Sequence, residues 1–337
     1  LIQLLHDPLE RTAREAILLD TSKTEIVYPN LVIGDGSSMK AIHLDVKTLQ
    51  LISPCGTVVV RDSIYICDRT QRGIFVANTN GIISRLITQT ESMREEFLEP
   101  SSIDANDKTI VVYDGGKGQV QLYTRFFRYV GSFPARLGVF GSSVSVGGSK
   151  LFVQTGPSDS FRVAIHEQQP PFRKTRSVLS IKVSEDDVLM SLNHIFISAN
   201  KKDELCVGFS SMPYLFVFDS SGKQVTTLEL RGHLVSDLYR SPQKKDGSDA
   251  SFTVVRTFLN GLLMCDDGRI LIATGPYIFV VKRENDGYAL RRSFKLHHNS
   301  KGSDFSMSQW RLNMVGGNLY VSVGSKSMVL RLTLTDD

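Results

Sequence analysis

Cysteine is scarce in this chain, and the few cysteines that occur are not spaced for a shared site. The four residues, Cys55, Cys67, Cys206 and Cys265, form no C-x-x-C pair. Cys67 and Cys206 lie within apolar runs, where cysteine usually acts as a small buried hydrophobic residue. We therefore expect no framework of disulfide bonds.

Long apolar runs and a strong charge of one sign are also missing. A membrane-spanning helix needs about 18 consecutive apolar residues, and no uncharged run in the chain approaches that length. The chain has 39 basic and 35 acidic residues, a net charge of +4, which is too small to indicate nucleic-acid binding from bulk electrostatics. Its hydrophobic content of 41% is enough for a substantial core, so we expect a folded protein without a membrane span.

Motifs of catalysis are absent as well. The chain has no G-x-S-x-G nucleophile elbow and no complete phosphate-binding loop. His297 and His298 are adjacent, so on a strand they would point to opposite faces and could not hold one metal ion together. We therefore assign no catalytic residue, no metal ligand and no cofactor. A divalent cation at a central channel stays open, because its ligands would be dispersed along the sequence.

Only the start of the chain has a helical pattern. Asp7 is placed as an N-cap and Pro8 as the first helical residue, and Leu9 and Ala13 begin an apolar stripe. These features predict a helix over about residues 7–18. After that segment the pattern is typical of β-structure, with short runs of Val, Ile, Leu, Phe and Tyr between polar turns.

Six stretches of the chain resemble one another. Each consists of an apolar strand, a polar turn and a second apolar strand. A further strand precedes each copy, and an outer strand follows several of them. The unit is thus a four-stranded antiparallel meander that repeats every ~40–65 residues. The six copies are SIYICDRTQRGIFVAN, TIVVYDGGKGQVQLYT, KLFVQTGPSDSFRVAI, ELCVGFSSMPYLFVFD, RILIATGPYIFVVKR and NLYVSVGSKSMVLRLT, beginning at Ser63, Thr109, Lys150, Glu204, Arg269 and Asn318.

A meander of this size cannot bury both of its faces alone, and its long edges would favour aggregation. Packing similar sheets radially around an axis buries the faces and leaves only short edges. Six copies therefore predict an all-β fold, a six-bladed β-propeller with four-stranded antiparallel blades. Residues 40–337 form the propeller, and residues 1–39 form an N-terminal extension that packs on it.

The first two copies resemble the repeats of NHL-type propellers. In these repeats a proline precedes the inner strand and an aspartate ends the next one, as Pro54 with Asp68 and Pro100 with Asp114 do here. The chain is similar in the same way to six-bladed propellers of the bacterial envelope. The resemblance implies the fold and carries no activity with it. It favours a bacterial envelope location, periplasm or cell surface with the signal peptide removed, over the cytoplasm. We expect Asp68 and Asp114 to bond turn amides.

The way in which the ring closes can also be predicted. The last copy ends soon after its third strand, so it lacks an outer strand of its own. Residues 40–52 precede the first copy and have a β-type pattern. We predict that they supply the outer strand of the last blade.

Equivalent turns of a propeller converge on one face, so the turns between the second and third strands should form a continuous surface. Arginine and tyrosine are favoured at protein interfaces, and these turns are somewhat basic. The residues proposed for this binding face are Arg69, Arg72, Lys117, Asp159, Tyr214, Tyr277 and Lys326.

Three functions remain open at this point. The first is a non-enzymatic interaction module that binds a protein, a peptide or a glycan through its loop face. The second is a metal-dependent hydrolase or lyase with ligands at the central channel. The third is RNA binding of the kind known for some NHL domains, for which Tyr214 and Tyr277 would stack on bases beside Arg69, Arg72 and Lys117. The first needs no catalytic set, so we favour it and do not expect an enzyme.

Overall fold

Short β-strands dominate the structure. The computed structural model describes residues 14–27, 31–33, 51–88, 96–135, 144–156, 159–180, 195–236, 258–285, 287–297, 310–323 and 328–334, and these contain 26 strands and one four-residue helix. Three strands precede the repeats: β1 (Arg14–Leu18), β2 (Glu25–Val27) and β3 (Leu31–Ile33).

The repeats form six sheets, each an antiparallel meander in sequence order. Blades 1 to 3 consist of β4 (Pro54–Val60), β5 (Ser63–Asp68), β6 (Gly73–Asn78), β7 (Ile83–Ile87); β8 (Pro100–Ala105), β9 (Thr109–Asp114), β10 (Gln119–Thr124), β11 (Tyr129–Pro134); and β12 (Val144–Val146), β13 (Lys150–Gln154), β14 (Phe161–Glu167), β15 (Lys174–Ser180). Blades 4 to 6 consist of β16 (Ile195–Ala199), β17 (Leu205–Phe209), β18 (Tyr214–Phe218), β19 (Gln224–Arg231); β20 (Gly261–Met264), β21 (Ile270–Thr274), β22 (Tyr277–Glu284), β23 (Gly287–Leu296); and β24 (Trp310–Val315), β25 (Asn318–Val323), β26 (Met328–Thr333). Helix α1 (His233–Ser236) follows β19.

The inner strands of the blades close a ring. The strands β4, β8, β12, β16, β20 and β24 contact one another in that order, and β24 contacts β4 again. The protein is therefore a six-bladed β-propeller, and the prediction of six antiparallel blades is confirmed.

The core divides into six hydrophobic clusters, one at each blade–blade interface. Side chains of a strand point alternately to its two faces, so each blade contributes to two clusters. In β9, Ile110 and Val112 pack against blade 1, whereas Val111 and Tyr113 pack against blade 3. This is why the middle strands are apolar almost without interruption, as in β17, in which every residue is buried.

Two buried aspartates, one in each of the first two blades, accept hydrogen bonds from backbone amides, as predicted. The carboxylate of Asp68 accepts hydrogen bonds from the backbone amides of Ile52 (2.7 Å), Ser53 (3.0 Å) and Gln71 (3.0 Å). Its side chain thereby ties the segment that enters blade 1 to the turn after β5.

Asp114 occupies the equivalent position in blade 2. Its carboxylate accepts hydrogen bonds from the amides of Leu98 (3.0 Å), Glu99 (2.8 Å) and Gly116 (3.1 Å). Both aspartates are 0% exposed.

The N-terminal segment lies along the outer edges of three consecutive blades. Strand β1 pairs in parallel with β19 of blade 4, β2 pairs in parallel with β23 of blade 5, and β3 pairs antiparallel with β26 of blade 6. We call the described residues 14–27 and 31–33 the strap. Outer strands expose unpaired backbone groups, and the strap pairs with part of that edge in three of the six blades.

The helix predicted for residues 7–18 is wrong over residues 14–18, which form β1. Main-chain hydrogen bonding to the free edge of β19 and burial of Ile17, 2% exposed, outweigh the helix propensity of Arg, Glu, Ala and Leu in this segment. Residues 7–13 lie outside the described residues.

The prediction for ring closure also needs a correction. The fourth strand of blade 6 does come from the N-terminal region, but Leu31–Ile33 supplies it in place of residues 40–52. Residues 40–50 lie outside the described part of the chain, and Leu51 and Ile52 lead into β4 without belonging to a strand. The strap pairs first with blade 4 and then with blade 5 before it reaches blade 6. Its last strand, Leu31–Ile33, therefore lies beside β26 and pairs with it.

Glu15 fixes the strap to two blades at once. Its Oε1 accepts a hydrogen bond from the hydroxyl of Thr226 in blade 4 (2.8 Å), and its Oε2 accepts one from the backbone amide of Tyr288 in blade 5 (2.6 Å). Farther along the strap, the Arg292 guanidinium donates to both carboxylate oxygens of Glu25 at 3.0 to 3.2 Å.

We expect Glu15→Ala to lower the free energy of unfolding by about 1.5 kcal/mol, because two hydrogen bonds to a charged acceptor are lost and a half-buried amide loses its partner. Urea unfolding of the full chain measures this. A matched control is Glu229→Ala in the same sheet, which removes an ion pair with the exposed guanidinium of Arg231 and should cost ~0.5 kcal/mol or less. Equal costs for the two variants would contradict the anchoring role of Glu15.

Candidate binding pocket at the mouth of the central channel

The turns of the blades form two opposite faces. The turn-1 face carries the turns between inner and second strands, at residues 61–62, 106–108, 147–149, 200–204, 265–269 and 316–317. The turn-2 face carries the turns between second and third strands, where the sequence-predicted binding residues lie. Arg69 and Arg72 are in blade 1, Lys117 in blade 2 and Asp159 in blade 3.

The remaining predicted residues continue this ring of turns. Tyr214 begins the third strand of blade 4, and Tyr277 begins that of blade 5, where it stacks on Phe279 with Lys295 Nζ 5.8 Å from its ring centre. Lys326 lies outside the described residues. The six described residues thus belong to five different blades around the ring, and their role in binding stays a prediction.

Polar side chains of the inner strands bond to the next blade around the hub. Asp104 in β8 accepts hydrogen bonds from the Ser145 hydroxyl (2.7 Å) and the Val146 amide (2.8 Å) of β12. The Ser145 hydroxyl accepts one from the Ala199 amide of β16 (2.9 Å). The same pattern continues from Ser198 in β16 to the Met264 amide in β20 (2.8 Å). These groups satisfy the exposed edges of the inner strands, so their primary task is structural.

A pocket of about 590 Å³ opens at the turn-1 mouth of the channel, and all six blades contribute to its lining. Apolar side chains from the ends of inner strands form much of its wall, and charged side chains from the turns form its rim. The wall includes Val59, Val146, Ala199, Leu263, Met264 and Met314. The rim includes Arg61, Asp107, Arg125, Lys201, Asp266, Asp267 and Arg269.

Part of the rim is neutralised by its own ion pairs. Lys201 Nζ lies 3.1 Å from Asp107 Oδ2 and 3.3 Å from Asp266 Oδ2, and the hydrogen bond to Asp107 raises the pKa of Lys201. Arg269 Nε lies 2.6 Å from Asp267 Oδ2. The three aspartates of the rim are therefore already paired with lysine or arginine side chains.

On blades 1 and 2 the rim also carries an exposed aromatic ring between two arginines. The Cζ atoms of Arg61 and Arg125 lie 5.1 and 4.9 Å from the ring centre of Phe126, and the Phe126 side chain is 58% exposed. Among the described residues, neither arginine has a carboxylate partner. We call these three residues the Phe126 cluster. It presents two positive charges and an apolar surface beside the pocket.

The channel wall also holds a carboxyl group with unusual titration. Burial raises the pKa of Asp104 to about 6, and its hydrogen bond with Ser145 opposes that shift only in part. In blade 6, the Oδ1 atom of Asn313, another lining residue, is buried and has no hydrogen-bond partner within the described part of the chain. The lining of the pocket therefore includes polar residues as well as apolar ones.

Stability should fall as the pH rises through the titration range of Asp104. The folded-state pKa of about 6 exceeds the unfolded value of ~3.9, so between these values the folded protein keeps a proton that the unfolded chain releases. From pH 3.5 to 7 we expect the stability of the wild type to fall relative to Asp104→Asn by about 2 kcal/mol, allowing for screening by water in the channel. Urea unfolding of both proteins across this range measures the difference, and parallel curves would contradict the prediction.

No metal centre is evident in the described ranges. None of their His, Cys, Asp and Glu residues forms a group of three or more that could hold an ion. His297 is described, but its neighbour His298 is not. Within the same ranges, no helix is long and apolar enough to cross a membrane.

Sequence reasoning missed the Phe126 cluster because it considered only the turns between second and third strands. Phe126 lies in the turn between β10 and β11, which reaches the turn-1 face. The segment Arg125–Phe126–Phe127–Arg128 carried a usable signal, since two phenylalanines between arginines are unusual in a polar turn. Phe127 is buried and stacks on Tyr123 and Tyr65, which leaves Phe126 on the surface.

Comparisons with known proteins bear on the fold. No protein-family model matches the chain, and no curated protein matches its sequence. A candidate exported protein from Bacteroides fragilis is 11% identical with a TM-score of 0.52, and the match covers 92% of this chain and 88% of that one.

Two further solved structures are similar to this chain. A catalytically inactive variant of virginiamycin B lyase from Staphylococcus aureus, solved with quinupristin, is 10% identical with a TM-score of 0.50, covering 86% of this chain and 97% of that one. The structure of U3-55K is 9% identical with a TM-score of 0.50 and the same coverage of 86% and 97%. At these identities the likeness shows the propeller fold alone.

Proposed function

We propose that this protein is a non-enzymatic binding module that holds an acidic peptide segment of a partner protein at the turn-1 mouth of its channel. The observation that carries the proposal is the Phe126 cluster. Arginine and aromatic side chains are enriched at protein interfaces, and two arginines that have no carboxylate partner in the described part of the chain favour an acidic ligand by electrostatic complementarity.

The pocket beside the cluster gives such a segment a place to insert. Its wall supplies Val59, Leu263, Met264 and Met314 for apolar side chains, and the arginines Arg61 and Arg125 lie at its edge. The aliphatic wall and these two arginines together suit a peptide in which acidic and bulky apolar residues alternate. A hydrolase or lyase would also need a placed acid, base or metal. The Asp104 carboxylate of the wall instead bonds to the neighbouring inner strand through Ser145.

A defined probe tests the proposal without knowledge of the natural partner. A fluorescein-labelled random copolymer of glutamate and tyrosine, followed by fluorescence anisotropy, should bind in the micromolar range, about −8 kcal/mol. Binding should weaken as salt is added, because the rim charges are exposed to solvent. A lysine and tyrosine copolymer of equal length is the control and should bind at least ~10-fold more weakly. Equal binding of the two polymers, or none, would contradict the proposal.

The turn-2 face remains a second surface for a partner or for RNA, as predicted from Arg69, Arg72, Lys117, Asp159, Tyr214, Tyr277 and Lys326. A metal-dependent reaction at the channel is likewise an outcome that metal analysis of the purified protein would reveal. We also propose a bacterial envelope location, which the resemblance to envelope propellers supports. Fractionation of the source cells with an antibody against the chain tests it, and recovery only in the cytoplasmic fraction would contradict it.

A further inference from the structure

Two cysteines meet at the end of the channel remote from the pocket. Cys55 Sγ lies 2.8 Å from Cys67 Sγ, and both thiols are free. Cys55 is the extra residue of a β-bulge in β4, where the register with β5 shifts between Pro54 and Gly56. The bulge turns the Cys55 side chain towards Cys67, which the spacing of the two residues in sequence does not suggest.

The two thiols differ in their access to solvent. Cys67 is fully buried, and burial, followed by its contact with Cys55, raises the pKa of its thiol. Cys55 is only half-buried, and its thiol also lies 3.1 Å from the carbonyl oxygen of Pro100 in blade 2. A small reagent in solvent therefore reaches the half-buried Cys55 thiol before it reaches the buried Cys67 thiol.

One anionic and two cationic side chains act on the pair. Burial, the contact with Cys55 and the charge of Asp68 raise the pKa of the Cys67 thiol, and the charge of Arg69 acts in the opposite direction. Burial lowers the pKa of Arg311, and the two cysteines oppose that shift. The Cζ atom of Arg311 lies 5.5 Å from the ring centre of Phe196 in blade 4, so this side chain extends across the channel from blade 6. Cations near a thiol stabilise the thiolate that reacts in disulfide exchange.

We propose that Cys55 and Cys67 form a reversible disulfide by exchange with a small disulfide such as oxidised glutathione. The Cys55 thiolate attacks one sulfur of the small disulfide, which forms a mixed disulfide and releases a small thiolate that takes up the proton lost by Cys55. The deprotonated Cys67 sulfur then attacks Sγ of Cys55 and expels the second small thiolate, which takes up the proton lost by Cys67. Two protein thiols are oxidised and one small disulfide is reduced to two thiols.

The other two cysteines provide the contrast. Cys206 and Cys265 are buried in separate interfaces, the first between blades 4 and 5 and the second between blades 5 and 6. Burial raises the pKa of Cys265 to about 12 and that of Cys206 further. These two thiols should stay reduced under the same treatment. The proposal is independent of the peptide pocket, because it concerns the opposite end of the channel.

Thiol counting and peptide mapping test the proposal. The folded protein is incubated with excess oxidised glutathione at pH 8, quenched in acid, denatured and titrated. The wild type should fall from four thiols to two, lose about 2 Da for the two hydrogens removed, and yield a peptide that joins Cys55 to Cys67. A Cys206→Ala, Cys265→Ala variant should fall from two thiols to none.

Single variants report the order of the steps. Cys67→Ala should retain one glutathione on Cys55, because the resolving thiol is absent, whereas Cys55→Ala should take up none. If a single variant fails to fold, peptide mapping of the wild type and of the Cys206→Ala, Cys265→Ala variant still tests the proposal. Four thiols remaining in the folded wild type at equilibrium, or a crosslink that includes Cys206 or Cys265, would overturn the proposal.

Discussion

Replacing Asp68 by alanine is expected to lower the free energy of unfolding by about 4 kcal/mol, because a buried carboxylate that accepts three backbone hydrogen bonds is removed. The amides of Ile52, Ser53 and Gln71 would then lack their acceptor. The amides of Ile52 and Ser53 belong to the segment that enters blade 1, so the loss also loosens the junction at which the ring closes. Urea unfolding of the full chain measures the effect.

Asp219 offers a matched control for Asp68. Its Oδ1 also accepts three hydrogen bonds, from the amides of Ser221 and Lys223 and from the Ser221 hydroxyl. It lies in a solvent-accessible turn, where water replaces the lost bonds. Asp219→Ala should therefore cost only ~1 kcal/mol. If the two variants were destabilised alike, the buried aspartate would not fasten the blade as described.

Reversing both arginines of the Phe126 cluster is expected to weaken binding of the glutamate and tyrosine copolymer at least ~100-fold, which corresponds to about 2.7 kcal/mol. In the Arg61→Glu, Arg125→Glu variant two attractive charges become repulsive at the rim, while the apolar wall of the pocket is unchanged. Both side chains are exposed, so the fold should be retained. Fluorescence anisotropy gives the affinity, and circular dichroism verifies the fold.

The control for this prediction places the same charge change on the opposite face. Arg69→Glu, Arg72→Glu alters the net charge equally, and Arg72 has the same positive φ as Arg61, 52° against 55°, so backbone effects are matched. This variant should bind the copolymer within ~3-fold of the wild type. An equal loss in both variants would mean that total charge, rather than the Phe126 cluster, governs binding.

Much of the architecture was predictable from sequence because it follows from local periodicity. Strands such as β9 and β17 are buried on both faces by neighbouring blades, so their apolar runs and polar turns mark the repeats directly. Asp68 and Asp114 were predictable for the same reason, since an aspartate that follows a buried strand meets the amides of a turn.

The strap was mispredicted because its structure depends on distant partners. Arg14–Leu18 has the composition of a helix, and only the unpaired edge of β19, more than 200 residues later, makes it a strand. Closure by Leu31–Ile33 likewise depends on where the strap runs, which local pattern does not encode.

The candidate binding site was harder to predict from sequence than the fold or the strap. Sequence places turns on one face or the other, but it does not say which face has a pocket. The contact of Arg61 with Phe126 joins blades 1 and 2 through side chains that have no sequence relation, and the encounter of Cys55 with Cys67 depends on a bulge. Both arise from packing in three dimensions.

Hydrogen–deuterium exchange with and without the glutamate and tyrosine copolymer tests most directly whether the turn-1 mouth is the binding site. We predict slower exchange at residues 61–62, 106–108, 125–128 and 265–269 on addition of the copolymer, and unchanged exchange at residues 69–72, 115–118 and 275–276 of the turn-2 face. Protection confined to the turn-2 face would contradict the account and would transfer the binding surface to Arg69, Arg72 and Tyr277.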